Sequence, residues 1–198
     1  LDMTTPGIKV DPIITLAGEH EVNQVFFDEV RVPKSGRLGE ENQGWTVAKY
    51  LLEFERGGGS APGLKVALER VRRMEHDDPH ARRRWAASAI EVEAIEMSEQ
   101  RVLSALASGR NPGPASSMLK AQGTEAMQRI DELAIDAAGP YAGVDQPEAR
   151  QPGSNVTPVG PDHSLTAMAR YLNNRAASIY GGSNEIQRDI IARLVLGL

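Results

Sequence analysis

Two short stretches of the sequence combine residue types that could bind a ligand or carry out chemistry. In the first, Gly181 and Gly182 precede Ser183, Asn184 and Glu185, and an apolar helical periodicity resumes directly afterwards. Glycine lets the backbone approach a ligand closely, and the first N–H groups of a helix have no partner within that helix. The segment is therefore predicted to be able to hold a ligand through backbone N–H groups. A plain turn between two helices, with glycine as the stop signal, is the alternative.

The second stretch is Glu53, Phe54, Glu55 and Arg56, at the end of a helical periodicity that starts at Gly44. A carboxylate held beside a substrate can act as a general base. By residue type alone, however, Glu55 and Arg56 are an ordinary charged pair on a solvated helix face, and Phe54 can equally belong to a core. The residues by themselves leave a catalytic and a structural role both open.

Thiol and metal chemistry lack the residues that they need. The chain has no cysteine, which excludes disulfides, thiolate metal sites and cysteine nucleophiles. The four histidines are scattered through polar or loop-like contexts: His20, His76, His80 and His163. Because a bound zinc or iron ion needs three or four convergent ligands, we expect no metal site. The basic run Arg82–Arg84 is interpreted as a solvated helix face, with contact to a phosphate-bearing ligand as the alternative.

Charge and hydropathy exclude further classes. The 198 residues carry 22 Lys and Arg against 27 Asp and Glu, a net charge of -5, which gives no global attraction to nucleic acid or to an anionic membrane surface. No run of about 18 apolar residues predicts a membrane span, and the first residues lack the pattern of a signal peptide. We expect a cytoplasmic protein. The chain opens on Leu1 in a strand-like pattern, which predicts a fragment of something longer.

The periodicity of the sequence changes near Gly44. Before it, strand-forming residues are interrupted by Pro and Gly; after it, apolar residues recur about every 3.6 positions in roughly five segments. Residues 143–163 are rich in Pro, Gly, Asn and Gln and predict a long irregular loop. The predicted fold is mainly α, a four- to five-helix up-down bundle over residues 37–198, preceded by a few β-strands within residues 1–36.

Two segments resemble the acyl-CoA dehydrogenase family. The first reads VFFDEVRVP at 25–33, LGEENQGW at 38–45 and LEFER at 52–56, and the second reads RAASIYGGSNEIQR at 175–188. They stand in the order and at about the spacing found in that family. The resemblance implies that residues 1–36 are the C-terminal part of a middle β-domain and that residues 37–198 are the C-terminal helical domain. It also implies that about half of a typical member is absent here.

The resemblance implies a reaction and a base. In this family a base removes the α-proton of an acyl-CoA thioester while the β-hydrogen leaves as hydride to the flavin of FAD. Many members place a glutamate directly after the tyrosine of the C-terminal motif, where this chain has Gly181 after Tyr180. Members similar to isovaleryl-CoA and long-chain acyl-CoA dehydrogenases carry the glutamate on the earlier helix, before an arginine. Glu55 and Arg56 stand at that place, so Glu55 is the predicted base, with room left by Gly181.

The resemblance also implies binding residues and partners. Glu53, Phe54 and Arg56 fall in the segment that contacts acyl-CoA, and residues Gly181, Gly182, Ser183, Asn184 and Glu185 match the segment that contacts FAD. The implied partners are an electron-transfer flavoprotein and further copies in a homodimer or homotetramer. A non-catalytic or FAD-scaffolding subunit of a hetero-oligomer is one alternative, and an acyl-CoA oxidase is another.

Two departures from the family concern FAD. Many members have an arginine followed by Phe-Gly that contacts FAD across the dimer, whereas this chain reads quite differently between Arg70 and Trp85. The usual Gln-x-x-Gly-Gly segment is replaced by a segment that begins at Asp136 and ends at Gly139-Pro140. An anionic Asp136 is unfavourable near a pyrophosphate unless it is paired or turned away. We therefore expect an incomplete cofactor site.

Overall fold

The computed structural model describes residues 1–55, 59–74, 78–110 and 113–198, with the backbone alone at 52–55. The chain divides into two compact units, Leu1–Glu55 and Arg56–Leu198. The first unit thus contains both strands and the first helix. A domain boundary between residues 36 and 37 stays a prediction.

The first unit contains a two-stranded antiparallel ribbon. Strands β1 (Ile8–Ile14) and β2 (His20–Phe27) pair with Ile8 opposite Phe27, and the register shifts near the connecting turn, between Ile13 and Ile14. Every residue of β2 is exposed in this structure, including apolar ones such as Phe27. A ribbon of two strands is marginally stable on its own in water. Helix α1 (Gly44–Glu55) follows in the same unit.

All regular secondary structure in the described part of the second unit is helical. Three long helices come first: α2 (Ala61–Arg73), α3 (Pro79–Ala107) and α4 (Ala115–Ala138). Shorter ones follow: α5 (Pro147–Arg150), α6 (Ala167–Asn174) and α7 (Asn184–Ile191). The prediction of a mainly α fold, strands first and a helical bundle afterwards, is confirmed. Among the helices of the described ranges, none combines the length and the apolar character that crossing a bilayer needs.

The core of the second unit lies where α2, α3 and α4 pack against one another. Each helix contributes apolar side chains at intervals of three or four residues, which place them on one face. The buried set includes Leu64, Leu68 and Val71 from α2, Val92, Ile95 and Val102 from α3, and Leu119, Ile130 and Leu133 from α4. Trp85 packs at the edge of this core, and its indole N–H donates to the carbonyl of Leu68 at 3.0 Å.

Two acidic side chains satisfy helix N-termini. The carboxylate of Glu99, on α3, accepts from the backbone N–H of Ser60 at 2.6 Å and from that of Ala61 at 3.2 Å. It is buried, and its negative charge lies at the positive end of α2. Asp78 caps α3 and accepts from His80 N at 2.9 Å. That bond holds the pKa of Asp78 below its ordinary value. Pro79 occupies the first turn, where its missing N–H costs no helical hydrogen bond.

The connection from 143 to 163 is more ordered than predicted. It contains the short helix α5, and Gln146 closes it by donating to the carbonyl of Val159 at 3.1 Å and accepting from the N–H of Val159 at 2.6 Å. One side-chain amide thus supplies both halves of a strand-like pair. The sequence prediction of an irregular loop missed this clamp because its two ends are 13 positions apart.

Candidate functional site

The glycine pair forms a left-handed turn between two helical segments. After α6, a 3₁₀ turn (Arg175–Ser178) leads to Tyr180, and Gly181 and Gly182 then have φ angles of 66° and 87°. Such angles strongly favour glycine. A β-carbon built on Gly181 would meet nothing within 4 Å, so open space lies beside this turn. Ser183 ends the turn and caps α7, because its hydroxyl accepts from the N–H of Ile186 at 3.4 Å.

Asn184, the first residue of α7, is directed into the bundle. Its side chain is 2% exposed, and its Oδ1 accepts from Lys120 Nζ at 2.8 Å and from Thr124 Oγ1 at 3.2 Å. Its Nδ2 donates to Glu125 at 3.2 Å. The amide therefore uses its oxygen and its nitrogen on three side chains of α4. Its side chain has a structural use, which leaves backbone contact as the form in which Asn184 could meet a ligand.

Lys120 holds both sides of the glycine turn. Its ammonium donates to the carbonyl of Ala177 at 3.1 Å, before the turn, and to Asn184 after the turn. Glu125, one turn further along α4, also forms an ion pair with Arg188 of α7. No sequence signal marked Lys120, since the residues that it joins lie 57 and 64 positions away.

Glu185 puts a negative charge at the start of α7. Its pKa is lowered chiefly by a hydrogen bond with its own backbone N–H and then by one with the Ser183 side chain, with the charges of Arg188 and Lys120 adding to the effect. The carboxylate therefore stays ionised at neutral pH. It repels a phosphate but can accept hydrogen bonds from ring N–H groups or hydroxyls of a ligand.

Further hydrogen bonds from α4 hold the end of α6. Gln128 Nε2 donates to the carbonyl of Asn174 at 3.0 Å, and Asp131 accepts from Asn174 Nδ2 at 2.6 Å. Burial raises the pKa of Asp131, although the bond from Asn174 and the charge of Arg170 act in the opposite direction. One polar face of α4, defined by Lys120, Thr124, Glu125, Gln128 and Asp131, thus holds residues 174–188.

Gln187 is an exception within this ordered region. Its side chain is fully buried, and neither its Oε1 nor its Nε2 has a hydrogen-bond partner among the residues that the structure describes. An amide in this state opposes folding.

The predicted base and substrate contacts cannot be located in the same way. The backbone of Glu53, Phe54 and Glu55 belongs to α1, but their side chains lie outside the described part of the chain, and so does all of Arg56. Their roles stay predictions.

Asp136, whose charge would be unfavourable near a pyrophosphate unless paired, has a partner. It forms an ion pair with Arg84 of α3, so Arg84 makes a local charge pair. His76 lies outside the described ranges. Across those ranges, no group of three or more His, Asp and Glu side chains is arranged to hold a metal ion.

A cavity of about 210 Å³ opens between α2, α4 and the start of α6. Its walls are apolar where Val71 and Ile130 contribute, and Arg70, Arg170 and His163 add polar groups. The sequence did not predict this cavity, because its lining comes from three separate segments.

Comparison with known proteins places these features in context. A profile of the family described as acyl-CoA dehydrogenase, C-terminal domain, matches residues 42–196. The acyl-CoA dehydrogenase IpdE1 of Mycobacterium tuberculosis is 34% identical over 202 residues, which cover 98% of this chain and 48% of that protein. The chain therefore spans about half the length of this relative.

Solved structures give the same match at the level of the fold. The ChsE4-ChsE5 complex from Mycobacterium tuberculosis superposes with a TM-score of 0.81 at 25% identity, covering all of this chain and 52% of the matched one. A variant of the Tcur3481-Tcur3483 steroid ACAD superposes with the same TM-score of 0.81 and 25% identity, covering all of this chain and 51% of the matched one.

Proposed function

The chain belongs to the acyl-CoA dehydrogenase family, and from that premise we propose that it is the C-terminal half of an enzyme that uses FAD to introduce an α,β double bond into an acyl-CoA thioester. The observation that carries the proposal is the Gly181-Gly182 turn before the capped helix α7, with open space beside it. This turn lies within the matched part of the family profile, residues 42–196.

The residues around the turn fit a flavin cofactor. Tyr180 and Ile179 are exposed next to the glycines and offer apolar surface to a flat ring. Gly181, Gly182 and Ser183 allow close backbone approach, and the ionised Glu185 can accept hydrogen bonds from a ligand. When bound, FAD supplies the hydride acceptor.

Glu55 is the proposed base. It would take the α-proton of the thioester, and the electron pair left behind forms the double bond as the β-hydrogen departs as hydride. Gly181, in the place where many members carry the glutamate, has no side chain to occupy that space. Glu53, Phe54 and Arg56 are the proposed acyl-CoA contacts, in which the Arg56 guanidinium suits the phosphates of CoA.

One of the arginines between Arg70 and Trp85 is the proposed cross-subunit contact to FAD, with Arg70 as a candidate. Of the arginines in this region, Arg72 and Arg73 bond to Glu69 and Arg84 pairs with Asp136. Arg70 instead lines the open cavity at the end of α2. The pairing of Asp136 offsets a charge that would otherwise oppose a pyrophosphate.

The test is anaerobic bleaching of the flavin by a panel of acyl-CoAs, using the full-length protein. Wild type should bleach, and Glu55→Gln should bleach about 100-fold more slowly or not at all, because the amide cannot accept the α-proton. The matched control is Glu41→Gln, an exposed carboxylate of the same unit. A Glu55→Gln protein that bleached at the wild-type rate would refute the base assignment.

The panel also tests the substrate class. The matched steroid ACAD suggests ring-bearing acyl groups, so a panel of ring-bearing and straight-chain acyl-CoAs should show faster bleaching with the former. Equal rates would limit the proposal to acyl-CoAs in general.

Two alternatives have distinct outcomes. The ChsE4-ChsE5 complex joins two different chains, which supports a non-catalytic or FAD-scaffolding subunit as the second candidate. In that case Glu55→Gln would change nothing beyond stability. An acyl-CoA oxidase would consume oxygen without an acceptor protein. A dehydrogenase would instead pass its electrons to an electron-transfer flavoprotein, which is the partner that we propose. We also propose that the protein forms a homodimer or a homotetramer.

A further inference from the structure

The ammonium of Lys120, on α4, forms hydrogen bonds on both sides of the glycine turn. It is half-buried and bonds to Ala177 O at 3.1 Å and Asn184 Oδ1 at 2.8 Å, one on each side of the turn. The two acceptors differ in kind. Ala177 offers a backbone carbonyl near the end of a helical segment, whereas Asn184 is the first residue of α7.

These two bonds close a loop around the most adaptable part of the segment. Gly181 and Gly182 both have positive φ, and glycine has more backbone conformations to lose than any other residue. Fixing the ends of such a turn reduces the number of conformations that it can adopt. The Lys120 ammonium bonds to both ends, and it belongs to α4, a long helix that contributes apolar side chains to the buried core.

Neighbouring side chains of α4 support the hydrogen bond from Lys120 to Asn184. Thr124 reinforces the bond to Asn184 Oδ1 at 3.2 Å, and Glu125 binds the amide nitrogen of Asn184 at 3.2 Å. Glu125 also pairs with Arg188, so the carboxylate stays on the α7 side. The field of Lys120 reaches beyond its bonds, since it contributes to the lowered pKa of Glu185.

We propose that Lys120 is a positioning residue for the flavin cofactor: it holds the Gly181-Gly182 turn in the conformation that FAD meets and adds a positive charge behind that turn. The inference rests on the proposed function. Lys120 does not itself contact the reacting atoms; it acts through Ala177 and Asn184. A positive charge close to a flavin favours its reduced, more negative form.

The experiment compares wild type with Lys120→Met and Lys120→Gln in the full-length protein. Lys120→Met should weaken FAD binding about tenfold, the equivalent of one lost hydrogen bond to a charged group. When both proteins are free of FAD, the backbone amide protons of residues 181–187 should exchange with solvent faster in Lys120→Met than in wild type. The flavin, equilibrated with a reference dye, should shift toward its oxidised form.

Lys120→Gln separates positioning from charge. Glutamine retains a donor but no charge, so part of the FAD affinity should return while the redox shift remains. Thr124→Val removes the supporting bond to Asn184 together with the bonds of the same hydroxyl to the carbonyls of Lys120 and Ala121 on its own helix. It keeps Lys120 itself, so it provides a folded protein for the same measurements if both Lys120 variants unfold. It should show a smaller loss of FAD affinity.

The matched control is Lys65→Met. Lys65 also makes two side-chain bonds between helices, to Glu93 at 2.9 Å and Glu96 at 2.6 Å, but it joins α2 to α3. The Lys65→Met substitution should lower the stability of the protein without changing its affinity for FAD or the amide-proton exchange of residues 181–187. If wild type binds FAD and Lys120→Met binds it equally well, with unchanged exchange, the inference fails alone. If wild type binds no FAD, the proposed function fails first.

Discussion

Asn184 and Gln187 are buried amides about one turn apart on α7, and they are in opposite states of hydrogen bonding. Asn184 shares its oxygen and nitrogen with Lys120, Thr124 and Glu125, whereas Gln187 has no partner among the described residues. Because desolvation of an unpaired amide is unfavourable, the first side chain stabilises the C-terminal segment and the second opposes folding.

Gln187→Met should therefore stabilise the protein. Methionine has a similar length and no group that needs a partner, so the free energy of unfolding should rise by about 1–2 kcal/mol in a urea titration. Gln128→Met is the matched control, since Gln128 donates to the carbonyl of Asn174 at 3.0 Å and its loss should lower stability. A Gln187→Met protein less stable than wild type would show that the amide has a partner after all.

Asp131 gives the protein a pH dependence with a definite sign. Burial raises its pKa above the ordinary value of 3.8, so the folded state holds the proton more tightly than the unfolded chain does. The resulting stabilisation is absent at neutral pH, appears as the pH falls through the raised pKa, and is complete below the ordinary value. The bond from Asn174 limits this effect but does not cancel it.

Asp131→Asn removes that dependence while keeping an acceptor for Asn174. The unfolding free energy of wild type minus that of the variant should increase as the pH is lowered from about 7 to below about 4. Urea titrations at several pH values measure it. A difference that decreased over this range would mean that the carboxylate, and not the acid, is favoured in the folded state.

At the scale of elements, local patterns predicted more than distant contacts did. The recurrence of apolar residues about every 3.6 positions predicted amphipathic helices after Gly44, because helical periodicity is contained in each segment itself, and Leu64, Leu68 and Val71 form the buried face of α2. The cap on α2 could not be predicted, since Glu99 lies 39 positions from Ser60. The same holds for the candidate site: the glycine pair was visible in the sequence, but its fixation by Lys120 was not.

Helix α4 explains why distant contacts matter here. One of its faces contributes Leu119, Ile130 and Leu133 to the core, and its polar face holds the segment that carries the glycine turn. The packing of the whole helical unit therefore determines which residue a side chain on α4 contacts. No window of sequence around Lys120 contains that information.

At the scale of the whole molecule, the two units differ in how much they can do alone. The helical unit has a packed core, whereas the ribbon of β1 and β2 exposes all of β2. The chain also spans 48% of its relative IpdE1, and the resemblance to the family implies that the flavin-ring contacts belong largely to sheet strands absent here.

The 198-residue chain alone should therefore retain little or no FAD after purification. Absorbance of the flavin relative to that of the protein measures the ratio, and the full-length protein under the same conditions is the control. A stoichiometrically yellow preparation of the chain would show that the helical unit and the ribbon suffice to bind the cofactor.

The hydrogen bonds between α4 and the glycine turn have a consequence for the design of chimaeric proteins that combine this helical unit with other domains. Every side-chain bond described for residues 174–188, which include the turn, either joins this segment to α4 or lies within the segment itself. A designer who grafted this helical unit onto a different sheet domain, or onto a different partner subunit, would carry the turn across in its native geometry. In such a chimaera the acceptor sheet could be varied while the geometry of this turn, the proposed half of a flavin site, stayed constant.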